Sequence, residues 1–252
     1  MITDPLFYLL AVPALLATGI GKGGFGAGLG IVAVPAMTLV VPPLLAAGVM
    51  LPILCFMDVF GVWAYRRNWS RRLVLILLPG AVAGIALAAL LADRLEENHI
   101  RLIIGAVAVL FALDWWIGRR GGNAARPPNR ASGSFWAAVS GFTSFVGHAG
   151  GPPISVFLLP LKLDKTIYVG TTAIFFAGVN YMKLVPYGWL GLLNQTTLTT
   201  ALVLAPVCPI GIWLGIWLHN RVSPGLFYRA CYVFVFLVGC KLLWDGLRSI
   251  TG

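Results

Sequence analysis

GIGKGGFGAGLG, residues 19–30, sets seven glycines and one lysine between apolar runs on either side. Glycine in a helix interior costs about 1 kcal/mol relative to alanine, so the stretch predicts an irregular or broken backbone rather than an ordinary helix. Non-helical chain at membrane depth is tolerated only where it is buried in protein or lines a wet cavity. The stretch is therefore a candidate site. A second glycine-rich stretch, GFTSFVGHAGGPP at residues 141–153, stands in the matching place near the start of the other half.

Composition supplies the membrane context. The 252 residues are 59% hydrophobic and 10% charged, with a mean hydropathy of +0.90, far from soluble usage. Apolar runs of roughly 18 residues, enough to cross about 30 Å of hydrocarbon, recur along the chain. The expectation is an all-α polytopic membrane protein, one membrane domain over residues 1–252, with the lipid bilayer as its solvent. The formal net charge of +10 sits in short loops, as topology signals do, and no basic patch interleaved with aromatics points to nucleic acid. Asp4, with no lysine or arginine ahead of the first apolar run, argues against a cleaved signal peptide. Cys55, Cys208, Cys231 and Cys240 lie in apolar segments without metal-ligand spacing, so core packing is expected, with no metal and no cofactor.

The segments fall into two similar halves. Short apolar pieces at 6–18 and 29–41, each of 13 residues, flank the first glycine stretch and read as half-helices or a hairpin, too short to span comfortably. Pro42 and Pro43 precede a full span at 44–65 whose interior carries Asp58. Arg66, Arg67, Arg71 and Arg72 then mark a cytoplasmic loop, and spans at 73–91 and 100–117 follow. Residues 118–134, rich in Gly, Pro, Asn and Arg, read as a cytoplasmic linker. The second half repeats the plan with 135–146, the GHAGGPP turn, 154–163, and spans at 166–189, 197–218 and 226–247. Gly48 and Gly170, Asp58 and Asn180, and Tyr65 and Tyr187 each differ by 122, while Asp93-Arg94 matches Asn220-Arg221 at 127.

Charge placement puts Tyr65 at the cytoplasm and Tyr187 at the opposite side, so the repeats, 6–117 and 135–247, are expected to be inverted. Each would hold a Gly-rich broken helix or helical hairpin plus about three full spans, eight to ten membrane segments in all, with both termini external. Inverted repeats are typical of secondary transporters that bind substrate near the midplane.

The GKGGFGAG run with Pro35 shortly after it, the second GHAGGPP, the two-halves plan and the arginine-rich loop together resemble the sulfite exporter TauE/SafE family, also called the toluene sulfonate uptake permease family. The likeness covers about residues 6–247. It implies transport of sulfite, sulfonates or related small anions across the bacterial inner membrane, without catalytic chemistry. His148 stands where many relatives carry another glycine, which implies a site tuned to a different ligand.

An oxyanion needs donors and positive potential in place of lost water. Backbone amides at the starts of half-helices supply both, and Gly23, Gly24 and Gly26 in one half with Gly150 and Gly151 in the other are candidates to present them. Small residues in such positions also serve plain helix packing. Lys22 is the natural counter-charge, and Lys183, one turn after Asn180 on the same helix face, is a second cation at membrane depth; either could instead snorkel to an interface. Asp58 is a lone carboxylate expected to pair with Lys22 or Lys183, or to take up protons as the coupling ion. His148 is a proton carrier or donor, with Thr143, Ser144 and Ser155 as further hydroxyl donors.

The leading expectation is a secondary transporter for a sulfur-containing anion working by alternating access, with protons as the coupling ion and a homodimer compatible with the sequence. An anion channel and an intramembrane enzyme are the alternatives. GIGKGG lacks the spacing of a phosphate-binding loop, and neither HExxH nor GxSxG occurs.

Overall fold

Asp4 opens the first helix. Its carboxylate accepts a hydrogen bond from the Leu6 amide at 2.8 Å, and Pro5 takes the first helical position, where its missing N–H costs nothing. The computed structural model describes residues 1–26, 33–92, 97–117 and 127–251. Among them are eleven α-helices: α1 (Pro5–Ile20), α2 (Ala33–Met37), α3 (Pro43–Tyr65), α4 (Arg71–Leu90), α5 (Glu97–Trp116), α6 (Arg130–Gly147), α7 (Gly151–Leu158), α8 (Lys165–Trp189), α9 (Gln195–Leu204), α10 (Val207–Arg221) and α11 (Pro224–Thr251). The described residues contain no strand.

Four helices are long and apolar enough to cross a membrane: α1 with its following turn (Pro5–Phe25), α3, α4 and α11. α9 and α10 qualify together as a fifth, bent by 48°. The protein is a multi-pass membrane protein. α6 and α8 are as long, but they carry buried polar side chains, Ser140, Thr143 and Ser144 on one and Thr171, Thr172, Asn180 and Lys183 on the other. Their hydropathy is lowered by groups that face protein rather than lipid.

Several sequence expectations are revised here. The 6–18 piece is no half-helix, because the chain passes from α1 into a wide π-type turn at Gly21–Phe25 and breaks only at Gly26, with φ +79°. Packing overrides the low helix propensity of the glycines. A Cβ on Gly19 would lie 2.8 Å from Gly211 Cα, and one on Gly215 2.5 Å from the Ile20 carbonyl oxygen, so α1 and α10 approach backbone to backbone. The span expected at 197–218 is two helices, bent where Pro206 lies between them. Helix α6 starts at Arg130, inside the expected linker, capped by the Asn129 side chain accepting from the Ala131 and Ser132 amides. Residues 118–126, Ala27–Gly30 of the first glycine stretch and Asp93-Arg94 lie outside the described residues.

The break in the second half falls where it was expected. α6 ends at His148 with φ 53°, and α7 begins after Gly150 with Pro152 and Pro153 in its first turn. Gly26 and His148, the two breaks, are 122 residues apart.

α1 lies on α10 and α4 on α6, while α3 packs on α8 and α5 on α11. The Tyr65 hydroxyl donates to the Gly23 carbonyl at 2.6 Å, and the Tyr187 hydroxyl to the Phe145 carbonyl at 2.8 Å. Each of these bonds joins residues 42 apart, and both members shift by 122 from the first half to the second. One end of the bundle gathers the basic residues. There the Ser70 amide donates to Thr171, Ser134 donates to the Ile76 carbonyl, and Lys165 Nζ donates to the His219 and Val222 carbonyls at 2.7 Å each.

The close approach between α4 and α6 can be tested directly. A Cβ on Gly84 would collide with the Ala138 carbonyl oxygen, whereas nothing lies within 4 Å of one on Gly225. Gly84→Val is expected to destabilise the purified protein by about 1–3 kcal/mol through overpacking, and Gly225→Ala to stay within about 0.5 kcal/mol of wild type, read by thermal melting in detergent.

Candidate functional site

Asp58 lies in the interior of α3, with its side chain 1% exposed. A carboxylate there must be paired or hydrogen-bonded, because an isolated buried charge is very costly. Lys22, from the turn after α1, places its Nζ 2.5 Å from Asp58 Oδ1, and Asn180 Nδ2 donates to Oδ2 at 2.7 Å. The two carboxylate oxygens thus face different partners, Oδ1 the ammonium of Lys22 and Oδ2 the amide of Asn180. Asp58 and Asn180 are themselves 122 apart. One polar contact thus joins the first half of the chain to the second.

A second polar group adjoins the first. Lys183 is fully buried and points its ammonium at α6. Its Nζ donates to the Ser144 carbonyl, to Ser144 Oγ and to His148 Nδ1, each at 3.0 Å. Three acceptors satisfy three ammonium donors. His148 Nε2 lies 3.2 Å from the Ala47 carbonyl oxygen, which can only accept, so the ring proton sits on Nε2 and Nδ1 is left to receive Lys183. The left-handed backbone at residue 148 aims the ring between α3 and α8.

Between these groups is a cavity of about 40 Å³, lined by Lys22, Gly26, Leu54, Ser144, His148, Gly151, Phe176 and Asn180. Lys22 is the cationic side chain of that lining, and behind it lie Asp58, paired with Lys22, and Lys183, which is bonded to Ser144 and His148 and has no carboxylate partner among the described residues. A lysine, a hydroxyl, an amide and an imidazole thus face a small space, an arrangement fit to hold an anion.

The structure brings Lys22, Gly26, Asp58, His148, Gly151, Asn180 and Lys183 together. Gly23, Gly24 and Gly150 sit differently. A Cβ on Gly23 or Gly24 would collide with the carbonyls of Ile212 or Gly215, and one on Gly150 would lie 2.8 Å from the Ser140 carbonyl, so these three serve close helix contacts. Neither lysine snorkels: Lys183 is buried and the Lys22 side chain is 13% exposed. Thr143 and Ser155 spend their hydroxyls on the backbone carbonyls of Ala149 and Gly151, leaving Ser144 as the hydroxyl at the cavity.

Sequence reasoning missed Leu54 and Phe176, apolar residues among many, and His219, read as part of a loop. His219 is buried at the end of α10, with Nδ1 2.9 Å from the Gly24 carbonyl and Nε2 3.2 Å from Thr166 Oγ1. It ties the glycine-rich turn to α8, and a histidine in the last turn of an apolar helix was the available signal.

The model of the family described as Sulfite exporter TauE/SafE matches residues 11–242 of the chain. Comparisons with curated proteins and with solved structures each returned no match.

Removing one member of a buried ion pair strands the other charge, whereas replacing both with apolar groups need not. Asp58→Ala is expected to lower stability by about 3–5 kcal/mol, and Lys22→Met with Asp58→Leu to recover most of that loss. Denaturant unfolding in mixed micelles measures both. Additive losses in the double variant would mean that the pair is not coupled.

Proposed function

The chain belongs to the sulfite exporter TauE/SafE family, and from that premise we propose that it is a secondary transporter for a small sulfur oxyanion, held in the cavity between Lys22 and Lys183. The observation that carries this reading is the set of donors at the cavity, Lys22, Ser144 and Asn180, backed by Lys183, a second lysine without a carboxylate partner among the described residues. An anion entering the cavity would complete the compensation that the protein leaves unfinished.

Size narrows the ligand. One water needs about 10–15 Å³ measured in this way, so 40 Å³ corresponds to a few waters. That suits an inorganic oxyanion such as sulfite better than an extended organosulfonate. The donors suit it too, since Ser144 and Asn180 line the space and Lys22 is a charged donor.

Alternating access is supported by the exchange relation. The two helix breaks at Gly26 and His148, the paired tyrosine bonds and the Asp58–Asn180 contact all map onto one another at an offset of 122. Two copies in opposite senses would rock about that contact and open the cavity to one side at a time. The basic end, with Arg66, Arg67, Arg71, Arg72, Arg130 and Arg221, then faces the cytoplasm across the bacterial inner membrane. Proton coupling has a concrete route. A proton on Asp58 would release Lys22 to the anion, and its loss would restore the ion pair and favour anion release.

The test is flux into liposomes with a purified sample. Saturable sulfite uptake with counterflow supports the transporter, and unsaturated conductance would favour the channel. Lys183→Gln is expected to weaken sulfite binding at least tenfold, about 1.4 kcal/mol, and Asp58→Asn to abolish stimulation by a pH gradient. Full affinity in the lysine variant would remove that residue from anion binding.

A further inference from the structure

At the basic end, α4 and α6 start side by side and diverge around an open groove of about 560 Å³, lined by Arg71, Arg72, Leu75, Ile76, Pro79, Arg130 and Ser134. Within it the two helices are tied together where Ser134 Oγ donates to the Ile76 carbonyl at 3.2 Å. Its wall runs along the exposed Leu75 and Pro79, within the apolar span that begins at Arg71. The groove therefore starts at the membrane boundary and continues into hydrocarbon depth.

The three arginines differ from Arg66 and Arg221 at the same end. Arg66 lies over the Trp63 ring at 5.0 Å and Arg221 over the Trp217 ring at 4.5 Å. Arg71, Arg72 and Arg130 are exposed and have neither an acidic nor an aromatic partner among the described residues. The fold does not require them. Under the exchange of halves, Arg130 corresponds to Tyr8 at an offset of 122, and Arg71 and Arg72 to Leu198 and Thr199 at 127. The equivalent place between α1 and the α9–α10 pair thus has the helices without the charge.

We infer that this groove is a binding site for an anionic phospholipid, its phosphate held by Arg71, Arg72 and Arg130 and one acyl chain laid along Leu75, Ile76 and Pro79. Guanidinium forks match phosphate oxygens bidentately, and basic pockets between membrane helices are suited to lipid headgroups. The apolar wall is what a soluble phosphate would leave unused. The site is independent of which anion occupies the central cavity.

The experiment is lipid titration of the full chain in a neutral detergent, read by native mass spectrometry and by thermal melting. The probes are phosphatidylglycerol, cardiolipin, phosphatidylcholine and free glycerol phosphate. The two anionic lipids are expected to bind and to raise the melting temperature, and the other two to do neither. Combining Arg71→Gln, Arg72→Gln and Arg130→Gln should weaken anionic lipid binding at least tenfold. The charge-matched control, Arg66→Gln with Arg67→Gln and Arg221→Gln, should leave it within twofold. Should the triple variant fail to fold, Arg130→Gln alone is expected to cost at least threefold. Equal losses in the test and control sets, equal binding of phosphatidylcholine, or equal binding of glycerol phosphate would each overturn the assignment. So would full retention by Arg130→Gln where that variant alone is measured.

Discussion

A buried carboxylate between two halves of one chain needs a cation and a donor, and Asp58 takes Lys22 from the turn after α1 and Asn180 from α8. This constraint organises the surrounding helices. Lys22 reaches Asp58 because α1 continues through a wide turn instead of ending early. That turn is possible because Gly19, Gly23 and Gly24 let α10 approach its backbone. Asn180 reaches Asp58 because α3 and α8 pack directly on each other.

The backbone relation between the halves is closer than the chemical one. At an offset of 122, Gly26 corresponds to His148, Lys22 to Ser144, Asp58 to Asn180 and Gly61 to Lys183. Helix breaks, tyrosine bonds and helix pairs repeat, but the charges do not. Only the first half supplies a carboxylate here, and only the second supplies a histidine. The polar groups around the cavity are thus distributed unevenly between the two halves of the chain, with Lys22 paired to Asp58 and Lys183 bonded to Ser144 and His148. The same separation holds at the surface, where the three arginines between α4 and α6 have no basic counterparts at the equivalent place in the other half.

Much of this was legible in the sequence because its causes are local. Gly150, Gly151, Pro152 and Pro153 mark the break between α6 and α7, and the shared offset of 122 singles out Asp58 with Asn180, which touch, and Tyr65 with Tyr187, which make matching bonds. The rarity of ions in apolar runs singled out Lys22, Asp58 and Lys183. What could not be read were distances set by tertiary packing. Gly19, Gly23 and Gly24 look like helix breakers until α10 is present to use them as contact surface. Whether Asp58 pairs with Lys22 or Lys183 depends on which helix faces it, and the bend at Pro206 depends on what α9 and α10 pack against. Leu54 and Phe176 have no signature at all, because an apolar residue lining a cavity is spelled like one in the core.

The central claim is that an anion completes the charge balance between Lys22 and Lys183. Selenite, which has the geometry of sulfite and a strong anomalous scatterer, can be introduced into crystals of the protein. The account predicts one anomalous peak in the cavity lined by Lys22, Ser144, His148 and Asn180, lost in Lys183→Gln. A cavity without that peak at saturating selenite, or a peak unchanged in the variant, would contradict it.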